Sequence, residues 1–437
     1  MEPADDALEL PVVAARQRTG GALTTVRSFL SDPGNLLALV LLFALVTRAV
    51  WLWLPQGSLI FDEAYYVNAS RVLLSVDLPD AARYGAAPPG LDPNAEHPPL
   101  GKVVMAASML VFGDNGIGWR LPSLIAGLIA LLAVYGIVRA TGETARLGVL
   151  AVGLLALDNL TLLHGRIGTL DMMALAPILA GAWLALRGSP VLAGIALAIG
   201  VLVKLTSVFG LVAVLIVTAI DLLRRRREAG RLGFEDVRPT LLLLSAFTMV
   251  TVGGLWALDL AFTGHSDPWA HFLFMASFGA SLQAPDGPTG IASQPWQWLV
   301  NEVQINYLRV AVDVTSGGEV VSSRPTIDFR GAMNPFLIGS FVLAFAFALS
   351  YAIRTGHRLA TWSLVWMAAN YLPFFALVLI NHRITYLYYF LPVVPALAIA
   401  VAVLLRRSGL PQLVTVIAVG AVVVGFLAYF PFRQLPG

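Results

Sequence analysis

The sequence predicts an all-α polytopic membrane protein, and three features carry that reading. Hydrophobic residues make up 58% of the chain and charged residues 12%, a balance that needs hydrocarbon rather than water around most side chains. At about 20 residues per tilted crossing, 437 residues allow about ten to twelve spans and one substantial loop. Arginines gather in three short connections of the same parity along the chain, which is the pattern that sets orientation in a bilayer.

Residues 1–34 mix acidic residues with Arg16, Arg18 and Arg27 and lack the ordered basic, apolar and small-residue regions of a cleavable signal, so they read as a cytoplasmic tail. Residues 35–437 form one membrane domain. Apolar runs predict about eleven spans, near 36–55, 119–139, 146–163, 170–186, 190–204, 206–223, 240–262, 334–353, 360–380, 385–405 and 411–430. Arg224 to Arg227, Arg231 and Arg238 fill one connection, and Arg354, Arg358, Arg406 and Arg407 fall in two others. The positive-inside rule makes these loops cytoplasmic. With the tail also inside, the chain ends outside, and loops 56–118 and 263–333 lie on the outer face.

Two segments of the first outer loop read as interfacial helices. Asp62 to Leu74 carries Tyr65, Tyr66 and Arg71 at positions suited to the headgroup level. His97 to Phe112 is apolar but only about sixteen residues long, too short to span comfortably, and is bounded by Pro98-Pro99 and by Gly113-Asp114-Asn115-Gly116. No period of 20–50 residues signals a repeat architecture. Zero cysteines remove disulfides, thiolate catalysis and Cys-ligated metals, and a net charge of +2 gives no nucleic-acid footprint.

The residues that invite a chemical reading sit at the outer boundary. Phe61-Asp62-Glu63 closes the first span, and Glu96-His97-Pro98-Pro99-Leu100-Gly101-Lys102 follows in the same loop. Charged groups at a membrane edge each cost several kcal/mol to desolvate unless paired or solvated, so they are the first candidates for function. Arg166 in the turn after the third span, Asp171 opening the fourth, Lys204 between the fifth and sixth, and Arg383 before Tyr386, Tyr388 and Tyr389 fall on the same side. Cations for a phosphate and carboxylates for proton transfer on one face are what an enzyme acting on a lipid phosphate needs. A solvent-filled transport path would use the same residue types.

These motifs occur in a familiar order. Phe61-Asp62-Glu63, His97-Pro98-Pro99-Leu100-Gly101-Lys102, Trp119-Arg120-Leu121-Pro122-Ser123, Arg166 with Leu170-Asp171, Lys204 within Gly200-Val201-Leu202-Val203-Lys204, Ser293-Gln294-Pro295-Trp296-Gln297-Trp298 and Arg383 extend over nearly all the chain. In that order the sequence resembles the protein O-mannosyltransferases of the GT-C membrane glycosyltransferase class. The resemblance implies an eleven-span GT-C fold, a polyprenyl- or dolichyl-phosphate-linked mannose donor, and transfer to Ser or Thr hydroxyls of secreted polypeptides. It further implies an active site on the outer face of the plasma membrane. Loop 263–333 leaves no room for the β-trefoil domain that eukaryotic members insert there, so the smaller prokaryotic form is the better match. The segment Tyr386-Leu387-Tyr388-Tyr389-Phe390-Leu391-Pro392 lacks the histidine that the family often places between its aromatics.

The expected mechanism is inverting. One carboxylate of Asp62-Glu63 takes the proton of the acceptor hydroxyl while that oxygen attacks the anomeric carbon and the lipid phosphate leaves from the opposite face. Adjacency does not choose between the two acids, whereas the resemblance gives Asp62 the base role and Glu63 an orienting one. His97, Lys102, Arg166, Lys204 and Arg383 are the candidate cations for donor phosphate, with Asp171 beside them, and Trp296 and Trp298 are candidate acceptor or glycan contacts. No cofactor is expected, since the lipid-linked sugar is a substrate, and two adjacent acids are too few oxygens to indicate a divalent metal. Membrane lipid is an expected partner, and no feature of the sequence specifies an oligomeric state.

Each assignment has a structural rival. Asp62-Glu63 caps a helix equally well, Pro98-Pro99 starts one, Lys102 and Lys204 snorkel, Arg166 and Asp171 pair, and Trp296 and Trp298 anchor at the interface. Two other functions use similar residues: a GT-C transferase acting on a lipid or cell-wall glycan, and a transporter or flippase with broken helices meeting at mid-membrane.

Overall fold

The computed structural model describes residues 27–432 apart from 317–318, so residues 1–26 of the expected tail lie outside the described residues. In chain order the helices are α1 (Pro33–Ala49), α2 (Glu63–Leu73), α3 (Leu100–Phe112), α4 (Gly116–Ala140), α5 (Ala145–Ala156), α6 (Asn159–His164), α7 (Leu170–Leu186), α8 (Pro190–Val203), α9 (Val208–Ala229), α10 (Phe234–Phe262), α11 (Pro268–Ser281) and α12 (Pro295–Trp298). An antiparallel hairpin of β1 (Ile305–Ser316) and β2 (Glu319–Gly331) follows. The chain then returns to helix in α13 (Pro335–Gly339), α14 (Phe341–Thr355), α15 (Arg358–Asn381), α16 (Val394–Arg407) and α17 (Gln412–Ala428). Among the described residues, 5 helical stretches are long and apolar enough to cross a membrane by length and composition, and shorter apolar helices accompany them.

Local chemistry explains where these helices begin and break. Asp32 accepts hydrogen bonds from the backbone N–H groups of Gly34 and Asn35, and Pro33 occupies the first turn of α1. The expected third span divides at Asp158, whose side chain caps α6 through Thr161 N at 2.7 Å and whose other oxygen accepts from Asn334 N at 2.9 Å. Lys204 interrupts the run from α8 to α9 in an extended conformation, φ −153° and ψ 124°, before a short 3-10 turn at Leu205–Ser207. That break turns a charged side chain toward the cavity described below while leaving apolar helix on both flanks.

α7 packs between α4 and α8, and α8 packs in turn against α10. At one end of this bundle Arg358 pairs with Asp221 at 2.9 Å, and Glu143 bridges His357 and Arg407, each at 2.7 Å. The arginine-rich connections thus gather at that end, opposite Asp62 and Arg383. The hairpin corrects the all-α expectation. Its base is buried through Ile305, Tyr307, Phe329 and Gly331, and Tyr307 carries it back to the segment before α2. An alternating stretch inside the long loop 263–333 presents no apolar run, and pairing supplies what hydropathy does not.

Candidate functional site

Asp62 stands at the N-terminus of α2 without capping it, since its side chain accepts no hydrogen bond from the first turn. The residue before it is strained: Phe61 has φ +54°, a conformation that costs a non-glycine residue of order 1–3 kcal/mol and persists only when its surroundings impose it. Those surroundings are explicit. The Phe61 ring stacks on Tyr307 at 4.2 Å with 7° between planes and meets Tyr388 edge-on at 5.7 Å.

Glu63 completes the clamp. Its carboxylate accepts from Ile60 N at 2.7 Å, from Gly168 N at 2.8 Å, and from Arg120 through Nε at 2.7 Å and Nη2 at 2.9 Å. Arg120 also donates to the carbonyls of Leu52, Leu54 and Ser58. Every lone pair that could act on a substrate is engaged, and both side chains are buried. Glu63 therefore holds the chain around Asp62 through bonds that engage both of its oxygens.

Asp62 itself faces a cavity of about 420 Å³. Among the described residues no side chain or backbone group bonds or pairs with its carboxylate. Burial pushes the carboxyl up to about 7, with the Asp171 carboxylate adding to the rise and the Lys204 ammonium opposing it. Polar groups on the same wall are Glu96, His97, Lys204 and Arg383, while Leu205, Phe209, Met275, Phe278, Phe374 and Leu377 make an apolar flank.

Lys204 pairs with Asp171 at 2.6 Å and lies 5.5 Å from the Tyr388 ring centroid and 5.7 Å from that of Tyr389. Asp171 is thus the partner of Lys204, and the expected Arg166 pairing is not formed. His164 backs this pair, with Nδ1 at 3.2 Å from Thr169 Oγ1 and Nε2 at 2.9 Å from Tyr307 OH. Arg383 lines the cavity with its Nη1 unpartnered, the condition of a cation awaiting an anion.

Five of the expected site residues sit elsewhere or have other surroundings than a phosphate or glycan contact. Arg166 is buried and donates to the carbonyls of Thr47, Val50 and Trp51 at the end of α1, between the rings of Phe329 and Phe432. It satisfies the orphan carbonyls of a helix terminus. Lys102 is buried against Asp92 at 2.6 Å and the carbonyls of Asn94 and His97, so its donors are spent on the loop it follows. His97 lines the cavity, and burial, reinforced by Lys204 and Lys102, holds its ring well below the usual histidine range. Trp298 is wholly buried among Tyr371, Phe374, Tyr389 and Phe390, with Nε1 donating to Ser293 Oγ at 3.0 Å. Trp296 is exposed and lines a separate cavity of about 180 Å³ that also borders Arg383.

Arg120 and Glu96 had stood in recognised motifs without a role. Arg120 could have been matched to Glu63 as the one buried-side cation able to fork onto it, but only the fold shows that 57 residues of separation close to hydrogen-bond distance. Among the described residues no three His, Asp or Glu side chains converge as a metal-ligand set.

Comparison with known proteins matches residues 96–256 to the family model described as dolichyl-phosphate-mannose-protein mannosyltransferase. That stretch is less than half of the chain. The matched stretch holds Glu96, His97, Lys102, Arg120, Arg166, Asp171 and Lys204. The polyprenol-phosphate-mannose–protein mannosyltransferase of Mycolicibacterium smegmatis is 31% identical over 138 residues, which is 31% of this chain and 25% of that protein. That of Corynebacterium glutamicum is 32% identical over 153 residues, 34% of this chain and 29% of that protein. The aligned region is therefore under a third of each relative's length.

The fold extends the likeness to almost the whole chain. The Saccharomyces cerevisiae protein O-mannosyltransferase Pmt1–Pmt2 complex bound to the sugar donor aligns with a TM-score of 0.65 at 11% identity, covering 91% of this chain and 90% of that one. ArnT from Cupriavidus metallidurans bound to undecaprenyl phosphate aligns with a TM-score of 0.55 at 19% identity, covering 91% and 62%. At these identities the likeness is one of fold.

Proposed function

We propose that the protein transfers mannose from a polyprenyl-phosphate donor to Ser or Thr hydroxyls of secreted polypeptides, with inversion at the anomeric carbon. The observation that carries this reading is the unpaired Asp62 carboxyl, poised near neutrality, on one cavity wall with Lys204 and Arg383. The family match and the names of the matched relatives support mannose and the polyprenol phosphate.

The steps follow from charge. The acceptor hydroxyl donates its proton to an Asp62 oxygen as its own oxygen bonds to the anomeric carbon. The bond from that carbon to the phosphate oxygen breaks, and the electron pair leaves on the lipid phosphate. Lys204 and Arg383 stabilise the charge that develops there, as preorganised cations do in a water-poor site. Asp171 keeps Lys204 charged and aimed. The apolar flank of Leu205, Phe209, Met275, Phe278 and Phe374 takes the first isoprene units, and Trp296, exposed beside Arg383, is an acceptor contact.

In this reading the chain crosses the plasma membrane about eleven times, with the arginine-rich end in the cytoplasm and the cavity at the outer face. The test is purified protein incubated with lipid-phosphate sugars and a Ser/Thr-rich peptide, with products identified by mass. Mannosylated peptide supports the proposal. Sugar appearing only on a lipid or glycan acceptor, or no transfer, contradicts it.

A further inference from the structure

We propose that Glu96 reads the hydroxyls of the sugar being transferred, an inference that rests on the glycosyltransferase reading above. Its loop is pinned at several points. Asp92 N donates to Phe262 O at 2.6 Å, and buried Lys102 holds Asp92, Asn94 O and His97 O together. His271, also buried, reaches Ala95 O through Nε2 at 2.8 Å while its Nδ1 meets Asp259 at 2.7 Å. Glu96 therefore projects from a backbone fixed on both sides.

Its carboxylate is oriented but left largely unspent. Asn94, 1% exposed, donates through Nδ2 to Tyr84 OH at 2.9 Å and to Glu96 Oε1 at 2.7 Å. Among the described residues that is the hydrogen bond Glu96 makes to another side chain; its own backbone N–H also favours the carboxylate, and Lys102 and Arg83 attract it from beyond ion-pair distance. Both Asn94 and Glu96 line the cavity, and burial raises the Glu96 carboxyl above its ordinary range. Tyr66 lies close enough to both acids for its phenol to feel Asp62 and Glu96 alike.

The chemistry of the possible occupants separates them. A carboxylate only accepts, so it repels the donor's phosphate, which belongs with Lys204 and Arg383. A sugar ring next to Asp62 presents hydroxyl donors, and two adjacent hydroxyls suit the two oxygens of a fixed carboxylate. Such a site disfavours a sugar lacking the hydroxyl because the half-buried carboxylate then loses that donor.

The experiment compares lipid-phosphate mannose with analogues each lacking one ring hydroxyl, using the unmodified protein, Glu96→Ala and Glu96→Gln. The unmodified protein should lose roughly 10- to 100-fold in kcat/KM toward one or two of the analogues, the range for a hydrogen bond to a charged group. Glu96→Ala should transfer the parent sugar more slowly and lose that discrimination, whereas its thermal unfolding should match the unmodified protein. Glu96→Gln, which keeps an acceptor for Asn94, carries the same comparison where the alanine variant does not fold. Discrimination as sharp in the variants as in the unmodified protein overturns the inference alone. No transfer of any lipid-phosphate sugar by the unmodified protein overturns the function and the inference together.

Discussion

A proton acceptor works best when its own proton affinity lies near the working pH, and Asp62 has been brought there by burial next to a second carboxylate, at about 7. The base must be ionised, so kcat/KM should rise with pH and level off above an apparent value near 7. A limb set near 4 instead would mean that Asp62 is not the group titrating. The same shift has a thermodynamic cost. Raised from the ordinary 3.8, Asp62 favours folding in its protonated form, so its stabilisation is complete below about 4 and is lost as pH climbs through about 7. Asp62→Asn should accordingly unfold at a higher temperature than the parent at pH 8, with the difference shrinking toward pH 4. Arg120→Ala leaves Glu63 ionised and buried without its partner, which costs about 3–5 kcal/mol, visible as a large drop in unfolding temperature. Arg166→Ala should lower stability and leave the donor KM unchanged, because its donors end on the α1 carbonyls.

Helix existence was legible because apolar length announces it, and the break at Lys204 was legible because a charge interrupts that length. Pairing was not. Arg166 and Asp171 lie five residues apart and invited a salt bridge, yet the turn between them sends one toward α1 and the other onto Lys204. Lys102 looked like a cation for phosphate, and a partner ten residues earlier, Asp92, had claimed it. Hydropathy says which residues are expensive to bury, while only the fold says which have already been neutralised. The hairpin is the element whose role is least visible in sequence, because it acts through a few side chains, with Tyr307 against Phe61 and His164 and Phe329 against Arg166. Tyr307→Ala should release the Phe61 strain and lower kcat more than KM, and Tyr307→Phe, which keeps the stack but loses the His164 hydrogen bond, should retain most of the rate.

At the scale of the molecule, charges divide between two ends. Glu143, His357 and Arg407 tie connections at one end, and Asp62, Lys204 and Arg383 line a cavity at the other. That division was readable from loop parity, since orientation depends on where arginines fall and not on how helices pack. Because the chain contains no cysteine, Arg226→Cys and Asp77→Cys give clean labels for membrane side. A membrane-impermeant thiol reagent applied to intact cells should reach position 77 and not position 226, and the reverse would invert the proposed topology. In the proposed mechanism a single carboxylate takes the acceptor's proton beside a cationic seat for the lipid phosphate. The most direct measurement is transfer of mannose from polyprenyl-phosphate mannose to a Ser/Thr peptide by folded Asp62→Asn: a loss of about 100- to 10,000-fold in kcat with donor binding retained is the predicted result, and transfer at the parent's rate contradicts it.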